Sequence, residues 1–333
     1  MNMKITIREP LAFSEIGHKG NQEDALYPNP LSVGRMQPVF LLCDGMGGHE
    51  HGEVASLTVA DALGKCLENE HEKDPRTAFE QALQIAYDAL DAVDTGNVEK
   101  KMGTTMTCLY LCSQGALMAH IGDSRIYHIR PKDYDASVKR NCVKYVTSDH
   151  SLVNDLLKAG ELTPEEAQNY PHKNIITRAM QPHQERQSKA DIYVEKDVRA
   201  DDYFFLCCDG ILEQLTDTRL CEILAMPISD VEKLEAIKTE CDGKTRDNYT
   251  CWLVPIDKVV FEDDDNARQE EVIQALSEES LDALPLSNIT DNHQCRLLNI
   301  GFRHNKTLLY LCIVAFSLFI FVIIYIVYYI LDF

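Results

Sequence analysis

Apolar and polar positions alternate between two periods along residues 1–256. Pro38–Cys43 is a short apolar run that ends on Asp44 and reads as a strand. Glu53–Leu67 then shows helical spacing through Val54, Leu57, Ala60, Leu63 and Leu67. Pro75–Val93 is a second helix, with Asp74 as N-cap, Pro75 at the first helical position, and an apolar face of Ala78, Ala82, Ile85, Ala89 and Ala92. Four strands follow closely: Thr104–Cys112, Ala116–Ile121, Arg125–Ile129 and Val143–Thr147. Gln114-Gly115 and Gly122-Asp123-Ser124 lie between them, and such short connections favour antiparallel hairpins. Helices are expected over Ser151–Ala159, Pro164–Gln168, Asp217–Ala225 and Val231–Cys241, and strands over Asp191–Val194, Tyr203–Cys208 and Tyr249–Pro255. The pattern predicts an α+β fold of two antiparallel sheets flanked by helices.

The pattern then changes twice. Residues 257–306 are acidic (Glu262-Asp263-Asp264-Asp265, Glu278-Glu279) with weak apolar periodicity, and read as a flexible linker with one short helix over Arg268–Leu276. From Thr307 to Ile330 no residue is charged, and Leu, Ile, Val, Phe and Tyr dominate. Twenty-four helical residues span about 36 Å, enough for a bilayer core. Arg303, His304 and Lys306 precede the stretch, so the positive-inside rule keeps the N-terminal domain cytoplasmic. The expectation is three parts: a folded domain over 1–256, a linker over 257–306 and a single-pass transmembrane anchor over 307–330.

A net charge of −21 argues against a nucleic-acid partner. The 12 cysteines form no recurring C-x-x-C pair and many sit in apolar runs, so they read as core residues of a protein in a reducing cytosol. The N-terminus lacks the apolar stretch of a signal peptide.

The chemistry concentrates in short acidic fragments far apart in sequence: Asn21-Gln22-Glu23-Asp24, Asp44-Gly45, Asp209-Gly210 and Asp247-Asn248. Asp44 and Asp209 each follow a strand and precede a glycine, and Asp247 immediately precedes a strand. A glycine carbonyl approaches a cation closely, and hard divalent cations take oxygen ligands. Gathering several carboxylates at one rim is unfavourable unless cations neutralise them.

Eight ordered motifs resemble the metal-dependent protein phosphatases, the type 2C Ser/Thr family, in its bacterial form. They are Gly17–Asp24, Asp44-Gly45-Met46-Gly47-Gly48-His49, Met102-Gly103-Thr104-Thr105, Gly122-Asp123-Ser124-Arg125, Asp149-His150-Ser151-Leu152-Val153, Asn174–Ala179, Cys208-Asp209-Gly210 and Arg246–Thr250. The resemblance covers about residues 10–256. It implies a four-layer αββα sandwich with a dinuclear metal centre at one edge, holding two Mn²⁺ or Mg²⁺ ions and a third at Asp123. In that reading Asp44 bridges the pair, the Gly45 carbonyl binds one ion, and Asp209 and Asp247 bind the other. Glu23 binds metal or its waters, as does Asp24, and Asp123 shares the third ion with Asp209.

The implied activity is hydrolysis of phosphoserine and phosphothreonine in proteins, the products of Ser/Thr kinases, by a metal-bridging water. Two departures stand out. Lys19 occupies the position where many members carry a phosphate-gripping Arg, and supplies a point charge without a planar fork. Met46 stands where the eukaryotic pattern has a His proposed as general acid. His49 is then a candidate acid or a structural residue at a helix start, and a metal-bound water is the alternative donor. Ser151–Pro182 corresponds to a mobile flap over the cleft. The competing readings are a pseudophosphatase that binds phosphoproteins without turnover and a phosphohydrolase of small molecules or nucleotides.

Overall fold

The computed structural model describes residues 2–261, apart from short segments at 32–33, 35–36, 48–50, 71–73, 95–101, 138–141, 169 and 171–174. Its elements are β1 (Met3–Ile7), β2 (Leu11–Glu15), β3 (Asp24–Tyr27), β4 (Val39–Met46), α1 (His51–Glu68), α2 (Pro75–Val93), β5 (Gly103–Thr104), β6 (Met106–Cys112), β7 (Gly115–Ile121), β8 (Arg125–Ile129) and β9 (Val143–Val146). They continue with α3 (Leu152–Ala159), α4 (Pro164–Gln168), β10 (Asp191–Glu195), β11 (Tyr203–Cys207), α5 (Asp209–Leu212), α6 (Asp217–Ala225), α7 (Asp230–Cys241) and β12 (Tyr249–Phe261).

The strands form two antiparallel sheets. One runs β1-β12-β11-β8-β9, with β2 also on β12; the other runs β10-β7-β6-β4-β3, with β5 on β4. Period-2 alternation explains why they stack. Along β4, Phe40 and Leu42 belong to the core shared with the first sheet, whereas Val39, Leu41 and Cys43 belong to the core under α1 and α2. The first sheet buries its other face against Leu220, Ile223 and Leu224 of α6 and Leu234 and Ile237 of α7. Trp252 lies fully buried between the sheets. Its ring meets Phe40 edge-on at 5.2 Å, and its indole N–H donates to the Leu41 carbonyl at 3.1 Å.

Several expectations change on contact with the structure. Strand β12 continues to Phe261 rather than stopping at Pro255, because β1, which the apolar pattern did not reveal, pairs with its far half from Ile256 to Phe261. Strands β2 and β3 were equally hidden, being short and half polar. Strand β4 carries on through Asp44 to Met46, where Gly45 and Met46 pair with Thr104 and Gly103. The expected helix stripes hold in part. Ala60, Leu63 and Leu67 of α1 and Ala78 and Ala82 of α2 are buried as expected, but Leu57 and Ile85 at the edges of those stripes are 54% and 47% exposed, and Ala55, Val59, Phe79, Tyr87 and Leu90 complete the buried faces instead. The hairpin read at Gln114-Gly115 is present between β6 and β7, but Gly122-Asp123-Ser124 is no hairpin: it carries the chain from β7 in one sheet to β8 in the other.

Among the described residues no helix is long and apolar enough to cross a membrane. The expected span over 307–330 lies outside those residues, as does the linker from Glu262 onward.

Removing the indole that joins the sheets leaves a large cavity. Trp252→Ala is expected to lower the free energy of unfolding by about 3–5 kcal/mol, measured by urea denaturation. A loss below about 1 kcal/mol would show that the inter-sheet core collapses around the gap.

Candidate metal centre

Both sheets deliver carboxylates to one rim. Asp24 on β3 is the direct cross-strand partner of Asp44 on β4. Asp209 follows β11 at the start of α5, and Asp247 stands immediately before β12, which pairs with β11. Asp123 sits in the crossover between the sheets. Like charges placed directly opposite on antiparallel strands are destabilising, and this pair has further carboxylates around it.

The electrostatics record that crowding. Burial, then Asp24, Asp209, Asp123 and Asp247, hold the Asp44 carboxyl well above its ordinary value. Burial first, and then Asp209 and Asp247, push Asp24 up to about 7. Burial and the nearby Asp209 and Asp149 raise Asp123 to about 7, and burial with Asp247 and Glu213 raises Asp209 to about 6.

Hydrogen bonding relieves the crowding only in part: burial outweighs the Thr250 hydroxyl and Cys208 thiol beside Asp24, which lower its carboxyl pKa. Both side-chain oxygens of Asp24 and Oδ1 of Asp123 are buried outside hydrogen-bond geometry among the described residues. The polar groups beside Asp24 also bond elsewhere: the Thr250 hydroxyl to Ser14 Oγ at 3.0 Å, the Cys208 thiol to the Asn248 carbonyl at 3.4 Å. Buried carboxylate oxygens short of donors, clustered with other carboxylates, are the donor set a hard divalent cation takes. Asp44, Asp123, Asp209, Asp247, Glu23, Asp24 and the Gly45 carbonyl could hold such ions.

The backbone around these groups is packed too closely for side chains. A Cβ on Gly45 would lie 2.3 Å from the Gly52 carbonyl oxygen, and one on Gly52 would lie 2.8 Å from Glu23 Oε1. The Glu23 side chain therefore sits over the first turn of α1, and its carbonyl accepts from the Gly45 amide at 3.1 Å and the Ser56 hydroxyl at 2.6 Å. Gly17 adopts φ +61°, and a Cβ there would meet the Asp247 carbonyl oxygen at 2.0 Å. The loop that carries Lys19 is thus pressed against Asp247. Lys19 Nζ lies 2.7 Å from Asp247 Oδ1. Burial alone would lower the Lys19 pKa, but the ion pair with Asp247, with Glu23 and Asp44 nearby, leaves it above its ordinary value.

Three supports went unassigned in the sequence reading. The Asn248 side chain ties the loop before Asp24 to the start of β12: its Oδ1 accepts from the Glu23 amide at 2.9 Å, and its Nδ2 donates to the Ile16 and Asn21 carbonyls at 2.8 and 3.0 Å. Thr105 Oγ1 accepts from the Asp44 amide at 3.0 Å and pairs with the Ser124 hydroxyl at 2.9 Å, so β4 and the Asp123 turn share one residue. Arg125 grips Asp149 through two bonds of 2.7 Å, which seats the chain leading to α3. Each lies within one of the ordered motifs of the sequence, and that membership was the available signal.

His150 seats the crossover from the other side. Its amide donates to the Gly122 carbonyl at 2.9 Å and its Nδ1 accepts from the Gly122 amide at 3.1 Å. The neutral ring then carries its proton on Nε2, which faces Asp191 Oδ2 at 3.2 Å. His120, His150 and Asp191 come close enough together to resemble a metal site, yet both nitrogens of His150 are already committed.

A cavity of about 380 Å³ opens beside Asp123 and Asp209. Its far wall includes Ser151, Val153 and Asn154, at the start of the expected flap. Helix α3 has no fully buried residue, and its first turn is capped by Ser151. The stalks of the segment are held where Thr177 N donates to the His150 carbonyl at 2.8 Å and Leu152 N to the Ile175 carbonyl at 2.9 Å. His49, the candidate proton donor, lies outside the described residues.

A family profile described as "Protein phosphatase 2C" matches residues 14–236. The chain belongs to the protein phosphatase 2C family. It is 32% identical over 250 residues to the protein phosphatase PhpP of Streptococcus pneumoniae serotype 2, covering 74% of this chain and 96% of that one. The crystal structure of the Mycobacterium tuberculosis serine/threonine phosphatase PstP/Ppp superimposes with a TM-score of 0.64 at 28% identity, over 76% of this chain and 100% of that one. A second structure, of the PstP catalytic domain with two manganese ions, gives a TM-score of 0.61 at 28% identity, over 77% of this chain and 100% of that one. The family's fold of two antiparallel sheets with helices is the fold described above.

The raised carboxyls make a signed prediction. Without metal, folded Asp24 holds a proton up to about pH 7 that the unfolded chain, with an ordinary carboxyl near 3.8, has released. The stability tied to that proton is complete at pH values below the unfolded value and is lost as pH rises through about 7. In EDTA, Asp24→Asn is therefore expected to gain on wild type by a few kcal/mol between roughly pH 4 and pH 8, read by chemical denaturation. Parallel profiles for the two proteins would mean that Asp24 is not buried among like charges.

Proposed function

We propose that this chain is a metal-dependent protein serine/threonine phosphatase held at a membrane by its C-terminus. The observation that carries the catalytic reading is the convergence of Asp24, Asp44, Asp123, Asp209 and Asp247 at one rim, where both Asp24 oxygens and one Asp123 oxygen are buried outside hydrogen-bond geometry. A solvated acidic surface has no such burial.

Asp44 would be shared by two Mn²⁺ or Mg²⁺ ions, with the Gly45 carbonyl and Glu23 on one side and Asp209 and Asp247 on the other. Asp123, with Asp209, would hold a third. Two divalent cations at such a site lower the pKa of a shared water and offset charge on phosphoryl oxygens. The chain's own residues do the rest. Asp24, cross-strand from Asp44, accepts hydrogen bonds from water at the centre. Lys19, on the rim, attracts the phosphate of a phosphoserine or phosphothreonine. The cavity between Asp123 and the α3 segment receives the peptide flanking that phosphate. Phosphoproteins, the products of a Ser/Thr kinase, are the proposed substrates.

The membrane part rests on composition. The uncharged stretch Thr307–Ile330 is long enough to span a bilayer, and Arg303, His304 and Lys306 favour a cytoplasmic catalytic domain.

The decisive assay follows Mn²⁺-dependent release of phosphate from a phosphothreonine peptide, against p-nitrophenyl phosphate and a nucleotide. Asp209→Asn is expected to lower turnover by more than the roughly 10–100-fold typical of an outer-shell change, with the melting profile of a folded protein. Near-wild-type turnover would remove Asp209 from the centre. Faster turnover of the nucleotide than of the peptide would replace the protein-phosphatase reading. Deleting Thr307–Phe333 is expected to move the protein from the membrane pellet to the supernatant with activity intact. Persistence in the pellet would exclude the anchor.

A further inference from the structure

The contact between Lys19 and Asp247 joins a residue on the phosphate side of the centre to a carboxylate on its cation side. Lys19 Nζ is 2.7 Å from Asp247 Oδ1, and the charges of Glu23 and Asp44 also act on it. We infer that Lys19 is an exchangeable counter-ion: it neutralises Asp247 until a divalent cation takes that carboxylate, and the displaced ammonium then turns to the substrate phosphate. The inference rests on the metal-centre reading above and deepens it. It makes phosphate capture conditional on metal loading.

Three features carry it. The pair is partly open to solvent, with side-chain exposures of 43% for Lys19 and 34% for Asp247, so it is weak and yields to a cation bound by several carboxylates at once. The backbone beneath it is fixed while the side chain is not. Gly17 is pressed on the Asp247 carbonyl, and Asn248 Nδ2 holds the Ile16 and Asn21 carbonyls on either side of Lys19. Displacement from Asp247 therefore swings the ammonium about its four-carbon stem and leaves the loop in place. The exchange also suits a lysine. An ammonium presents three rotatable donors and no fork, so it passes from a carboxylate oxygen to a phosphate oxygen without realigning a planar group. No bond is made or broken, and the ammonium keeps its proton throughout.

Exchange has a signature that neither half-role shares: removing the ammonium tightens metal and loosens phosphate. The test is calorimetry on the full-length chain in detergent. Mn²⁺ is titrated into metal-free protein, and inorganic phosphate into Mn²⁺-loaded protein. Lys19→Met is expected to tighten Mn²⁺ binding by about two- to fivefold, the range of a partly exposed ion pair. The same variant is expected to weaken phosphate by about tenfold or more, through loss of a charge-assisted bond. Lys244 supplies the control for general charge. It lies three residues before Asp247, but it is exposed and its ammonium donates to the Glu240 carbonyl at 3.0 Å. Lys244→Met is expected to leave both constants within about twofold, its charge being screened.

Equal tightening of Mn²⁺ by both variants would reduce the effect to net charge and overturn the exchange. Weaker phosphate with unchanged Mn²⁺ would make Lys19 a plain phosphate ligand, and tighter Mn²⁺ with unchanged phosphate a plain counter-ion; either result overturns the inference and leaves the metal centre standing. Failure of wild type to bind Mn²⁺ at all would overturn the metal centre with it.

Discussion

Mutual repulsion among buried carboxylates is the constraint around which the rest of this fold is arranged. Asp24 and Asp44 face each other across an antiparallel pair, and Asp123, Asp209 and Asp247 add charge from three other chain segments. A chain left to minimise its own energy would move such groups into water. Here they stay because each is carried on rigid backbone: β3 and β4 in one sheet, the ends of β11 and β12 in the other, and the crossover that joins the sheets. The sandwich supplies the rigidity. Trp252 locks the sheets face to face, and the outer helices keep both sheets dry on their far sides. The rim is where stability is given up, and bound cations are the natural remedy.

Rigid strands alone do not aim side chains. Asn248 joins the loop of residues 16–23 to the start of β12, so Glu23, Lys19 and Asp247 keep one spatial relation although more than two hundred residues separate them. Thr105 does the same for Asp44 and the Asp123 turn through Ser124. The glycines contribute by absence. Gly45 against Gly52, and Gly17 against the Asp247 carbonyl, let backbones approach at distances that no side chain permits. A site of this kind tolerates little error, because displaced carboxylates return to mutual repulsion.

Much of this was legible in the residue order. The strand–aspartate–glycine fragments at 44 and 209, and the aspartate before the last strand, pointed to one rim, and the long strands and helices followed from their periods. What stayed hidden has identifiable causes. Strands β1, β2 and β3 are four or five residues long, too short for alternation to stand out, so the cross-strand pairing of Asp24 with Asp44 could not be read. The Gly122-Asp123-Ser124 turn looked like a hairpin because local spacing carries no information about which sheet the next strand joins. The edges of the stripes on α1 and α2 were misplaced, because a count of apolar positions cannot tell that small residues such as Ala55 and Gly64 let α1 approach its neighbours while Leu57 stays exposed. Asn248 was visible beside Asp247, but an amide's partners are set by tertiary contacts.

The lysine at position 19 fits the same logic of charge management. A centre that assembles before its cations arrive needs a removable positive charge, and a partly exposed ammonium is one. A guanidinium at this place would grip a carboxylate through two parallel bonds, as Arg125 grips Asp149, and such a pair is slower to surrender. Lysine gives up strength at the phosphate, where a fork would hold two oxygens, and gains ease of release from Asp247. The departure at position 19 is therefore not simply a weaker copy of a phosphate-gripping arginine. It shifts the balance between holding the empty site together and holding the substrate, in a rim where the first problem is set by the number of carboxylates.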